Sequence, residues 1–154
     1  MEKPVPKSLH PAAASLSLLT ILAFWLSTLL TKLLGSDAQV VWLKTHLPWA
    51  FLLLIPALAV TGATGITRAG PRRGRLIDAK RRRMSLIAAN GLLILVPSAL
   101  FLAARAGQGR LDATFHAVQI VELGFGAVNI LLLGLGFRDG LRLTGRLRPR
   151  LRTS

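Results

Sequence analysis

The chain has 154 residues, of which 52% are hydrophobic and 17% charged, with a formal net charge of +14. Its charges are segregated: long apolar stretches hold at most one each, while most arginines crowd into two short segments. That pattern excludes an ordinary soluble domain, and cationic loops beside membrane spans explain the net charge better than nucleic-acid binding, so no nucleic-acid partner is expected. The absence of cysteine removes disulfides, thiolate metal sites, Fe–S clusters and a cysteine nucleophile.

A helix crossing about 30 Å of hydrocarbon needs around 20 residues. The first window of that kind runs from about Ala12 to Leu34, with Pro11 at its start, where the missing N–H costs nothing. Lys3 and Lys7, this apolar run and then Ser36-Asp37-Ala38 also resemble a secretory signal with its cleavage site. The run is longer than the usual apolar core of such a signal, which favours a retained helix. A short polar loop is expected from Gly35 to His46, opened by the turn residues Gly35-Ser36-Asp37.

The second window runs from about Leu47 to Thr67, with Pro48 at its start. A basic loop from Arg68 to Arg83 follows, broken by Gly70-Pro71. The third window runs from about Met84 to Ala104. Pro56 and Pro97 sit inside the second and third windows, in similar apolar strings, and each should kink its helix. Gly107-Gln108-Gly109 marks the next turn, and Asp112 is placed to cap the fourth window, from about Ala113 to Phe137. A basic tail, residues 138–154, closes the chain.

Four spans put the N-terminal segment, the basic loop and the tail on one side, with sixteen lysines and arginines, against Lys32, Lys44, Arg105 and Arg110 on the other. The positive-inside rule then makes both termini cytoplasmic. The expected fold is an all-α polytopic four-helix bundle, one domain, in a bacterial inner membrane.

An ionisable side chain inside a span is a functional hypothesis by default. Glu122 is the clear case, about 13 Å into the fourth span. Gln119, Glu122, Gly126 and Asn129 share one helical stripe that should face the other helices. Asn90 in the third span lies at a depth that suits a bond to Asn129, and Ser27, Thr28 and Ser98 come near the depth of Glu122. Within the expected spans Glu122 has no basic or second acidic partner, so the stripe reads first as interhelical glue. Its functional alternative is proton transfer in a proton-linked carrier of small solutes. Glycines 124, 126, 134 and 136 allow close helix approach, within the bundle or between subunits of a homo-oligomer.

His46 and His116 fall on the same side and are candidate axial ligands for a b-type haem in an electron-transfer protein; His10 falls on the other. Histidines at span ends are more commonly interfacial, so no cofactor is the leading expectation. No nucleophile elbow, phosphate loop or metal-binding His/Glu motif is present, and neither catalytic nor metal-binding residues are assigned. Asp139 is expected to pair with neighbouring Arg138 and Arg142.

Arg72, Arg73, Arg75, Arg81, Arg82, Arg83, Arg142 and Arg146 form a basic face suited to anionic lipid headgroups or a membrane-protein partner. The tail alternates leucine and arginine and can extend the fourth helix through Leu147, with Pro149 ending it.

Lys80-Arg-Arg-Arg-Met84, Ile87-Ala-Ala-Asn-Gly91, Val118-Gln119, Glu122-Leu123, Asn129 and the string Arg138 to Arg146 resemble small four-span bacterial inner-membrane proteins. That group carries no assigned activity, so the resemblance implies topology and no site residues. The leading expectation is a non-catalytic accessory or interaction component of the membrane.

Overall fold

The computed structural model describes residues 9–69 and 75–143, with side chains described for 9–65, 78–79 and 81–141. Six α-helices follow in order: α1 Leu9–Leu34, α2 Asp37–His46, α3 Phe51–Ala69, α4 Arg75–Asn90, α5 Val96–Gly107 and α6 Ala113–Leu143. A single 3-10 turn, Leu47–Ala50, joins α2 to α3, and a π-turn, Gly91–Leu95, joins α4 to α5. Among the described residues this makes four helical rods long and apolar enough to cross a membrane: Leu9–Leu34, Asp37–Gly65, Arg81–Gly107 and Ala113–Leu141.

The segment expected as a polar loop, Gly35 to His46, is helical from Asp37 onward. A capping box explains it. Gln39 N–H donates to Ser36 Oγ while Ser36 N–H donates to Gln39 Oε1 at 2.9 Å, satisfying the first free donors of α2. Val40, Lys44 and Leu47 then turn inward at helical spacing. Pro48 therefore lies inside the second rod and not at its start. The 3-10 turn accommodates it, because a proline at the first or second position of a turn leaves no hydrogen bond unmade.

The basic loop is likewise shorter than its sequence suggests, since α3 continues to Ala69 and α4 begins at Arg75. The fourth rod continues past Phe137 to Leu143; the rest of the tail, with Leu147 and Pro149, lies outside the described residues. Pro97 follows the π-turn, in which Val96 N–H donates to Gly91 O, five residues back. The wider turn makes room where proline has no N–H to give. Pro56 sits within α3.

Two apolar clusters form the core. One joins all four rods through Ile21, Leu54, Ile87 and Leu133. The other, towards the α1–α2 and α5–α6 turns, contains Val40, Leu102, Ala106 and Phe115. The outer surface is also apolar: Leu19, Leu52, Leu93 and Leu131 are exposed on the four rods. In water such a surface would be costly, and in hydrocarbon it costs nothing. Exposed Trp42 and Trp49 on the second rod have the amphipathic rings favoured at membrane–water interfaces.

Candidate functional site: a polar layer between two apolar cores

Along α6 the inward residues run Phe115, Gln119, Gly126, Asn129 and Leu133, so a polar stretch separates the two apolar clusters. Gln119 and Asn129 are 1% and 2% exposed. Glu122 lies between them on the same stripe with its side chain 13% exposed.

Lys44 supplies the group that sequence reasoning missed. Its side chain is 1% exposed, and Nζ pairs with Glu122 Oε2 and donates to Thr28 Oγ1 at 3.3 Å. Three rods thus meet at one ammonium group. The intramembrane acid does have a basic partner, carried by a residue that composition alone places in a loop. The signal was present in Ser36-Asp37-Ala38-Gln39, a capping box ahead of an apolar-periodic run. Of the three hydroxyls expected near Glu122, Thr28 reaches the cluster, through Lys44.

One turn nearer the α5–α6 end, Lys32 Nζ donates to Gln119 Oε1 at 3.3 Å. Gln119 Nε2 is buried with no hydrogen-bond partner among the described residues. An unmet buried donor costs about 1–3 kcal/mol.

The structure also brings Asn90 and Asn129 together. Asn90 Nδ2 donates to Asn129 Oδ1 at 2.7 Å and to Phe125 O at 3.0 Å. Between these levels Trp25 Nε1–H donates to Leu123 O at 2.8 Å, and its ring lies over Gly126. A Cβ added at Gly126 would come within 2.9 Å of Trp25 Cδ1, so this glycine permits the close approach of α1 to α6. Glycines 124, 134 and 136 have open space where a Cβ would point.

At the basic end Arg83 Nη1 pairs with Asp139 Oδ2, whose side chain is nearly buried. Asp139 was expected to pair with Arg138 and Arg142. Arg138, at i−1 on the helix, faces away, the side chain of Arg142 lies outside the described residues, and the facing rod brings Arg83 into reach. Arg83 is therefore drawn from the headgroup-facing set into the bundle. Arg81 and Arg82 are exposed. Arg72, Arg73 and Arg146, and the side chains of Arg75 and Arg142, lie outside the described residues. His10 Nδ1 and Thr64 Oγ1 lie 2.9 Å apart, tying the start of α1 to the end of α3.

His46 and His116 are both exposed. His46 Nδ1–H donates to Trp42 O at 2.7 Å, and its ring stacks on Trp42 at a centroid distance of 4.8 Å. His116 stands edge-on to Phe115 at 5.6 Å. Each ring is thus held by a near neighbour in its own chain segment, on the outside of the bundle.

In the α5–α6 turn Gly109 has a φ of +68°, which favours glycine there. Asp112 Oδ1 accepts from Phe115 N–H at 3.0 Å, and Arg105 pairs with Oδ2 at 3.0 Å. The backbone bond, and then the charges of Arg105 and Arg110, hold the Asp112 carboxyl below its ordinary pKa.

Comparison with protein-family models, curated proteins and solved structures returns no match.

Proposed function

We propose that the chain is an accessory or interaction component of a bacterial inner membrane, a non-catalytic bundle of the small four-span kind, with both termini cytoplasmic. The observation that carries this reading is that polar groups from different rods pair with one another, within the spans and at their basic end. Lys44 meets Glu122, Asn90 meets Asn129, and Arg83 meets Asp139. Such pairing fixes helix register and leaves an apolar exterior for lipid and for other spans. The sixteen-to-four distribution of basic residues supports the orientation, with the α3–α4 connection and both chain ends on the cytoplasmic side. Basic residues at that end attract anionic headgroups at about 1 kcal/mol each.

Reporter fusions test the orientation. A C-terminal fusion should be active with a cytoplasmic reporter and silent with one that needs export. Native electrophoresis of gently solubilised membranes tests the role: the protein should migrate in a defined assembly larger than the detergent-bound chain. Migration as an isolated chain would overturn the interaction reading.

A second reading is a proton-linked carrier of small solutes using Glu122. Lys44 favours it, because a buried ammonium beside a carboxylate gives a proton two competing sites. Proton-dependent uptake into vesicles, abolished by Glu122→Gln in a normally folded protein, would establish this reading in place of the first.

A further inference from the structure

Lys32 and Lys44 both reach the stripe of α6, one on Gln119 and the other on Glu122, which are neighbours across a single helical turn. Thr28, bonded to Lys44, lies one turn from Lys32 on α1. The cluster therefore gathers two ammonium groups against one carboxylate, a formal excess of one positive charge. Lys44, fully withdrawn from solvent, is compensated by Glu122, so the excess charge rests on half-buried Lys32, which bonds to the neutral Gln119 amide.

Hydrogen-bonding capacity is unbalanced in the same direction. Each ammonium group has three donors, and the bonds formed use two at Lys44 and one at Lys32. Gln119 Nε2 adds a buried donor with no partner among the described residues. The species that answers both imbalances carries one negative charge and only accepts hydrogen bonds.

We infer that Lys32, Lys44 and Gln119 form a binding site for a small monovalent anion, of the chloride or formate class, within the bundle near the α1–α2 and α5–α6 turns. Lys44 stays paired with Glu122, and Lys32 supplies the excess positive charge. Gln119 Nε2 donates to the anion, and half-buried Lys32 forms the side through which it exchanges. The site goes beyond an accessory role and does not depend on it, since it concerns only the ligand chemistry of the polar layer.

The test uses the full chain purified in an uncharged detergent, with thermal unfolding followed at constant ionic strength. Chloride or formate replaces gluconate, a much bulkier anion. Chloride and formate should raise the melting temperature saturably. Lys32→Gln, which removes the excess charge and keeps the Lys44–Glu122 pair, should weaken the apparent affinity by about tenfold or more. Its helical content and gel-filtration profile check that it folds. Gln119→Leu, which removes the orphan donor, should weaken it as well. Equal behaviour in gluconate, chloride and formate would overturn the proposal, as expected if water alone meets Gln119. An unchanged response in a folded Lys32→Gln protein would also overturn it. If added phosphatidylglycerol stabilises the protein and the small anions do not, the occupant is a headgroup phosphate and the small-anion assignment fails.

Discussion

Lys44 and Glu122, 78 residues apart in the chain, meet in the polar layer of the bundle with the lysine side chain only 1% exposed. Taking either partner away leaves the other charged and buried. Glu122→Gln or Lys44→Met should each destabilise the protein by about 3–5 kcal/mol, as for other buried pairs. The double variant Lys44→Met, Glu122→Leu should recover most of that loss, because two apolar groups need no compensation. Reversible unfolding in mixed micelles measures all three. Additive losses in the double variant would show that the two residues do not act as a pair.

Gly126 and Trp25 set the distance between α1 and α6. Gly126→Ala places a methyl group 2.9 Å from Trp25 Cδ1 and should cost about 1–3 kcal/mol through overpacking. Gly124→Ala, with open space at that position, should be near neutral. The fluorescence of Trp25 reports the displacement directly once Trp42 and Trp49 are replaced by phenylalanine.

Asn90 and Asn129 form a direct amide pair at 2.7 Å. A double-mutant cycle with leucine at both positions should return a coupling of about 0.6 kcal/mol, and not more than about 1.7. A coupling of zero would mean that the two amides are satisfied independently.

Asp112 should give stability a shallow acid dependence. Its folded-state carboxyl is held below the ordinary value by the Phe115 N–H and then by Arg105 and Arg110. Its contribution is therefore complete above about pH 4, the ordinary aspartate value, and is lost as pH falls through the lower folded-state value. The melting-temperature difference between wild type and Asp112→Ala should be constant near neutrality and narrow in strong acid. A difference that grew with acidification would contradict the capping role.

The four apolar rods were legible because crossing a membrane demands a length and a composition that any reading of the chain can count. The Asn90–Asn129 level was legible for a related reason. Helical rise converts residue number into depth, so two amides at one depth on adjacent spans can be matched without coordinates. Lys44 was not legible by the same means. Lys44 lies three residues before the expected start of the second span at Leu47 and so reads as loop, and only the capping box at Ser36 extends the helix far enough back to bury it.

By itself the sequence determined the all-helical class, the number of spans, the inward stripe on α6 and the asymmetry of charge between the two ends. All of these are one-dimensional quantities: length, period and count. The tertiary structure alone decided that Lys44 faces Glu122, that Arg83 of the facing rod reaches Asp139, and that Trp25 lies against Gly126. Those outcomes depend on how each rod is rotated and offset against the next. Rotation is set by packing many side chains at once, and no single residue in the chain records it.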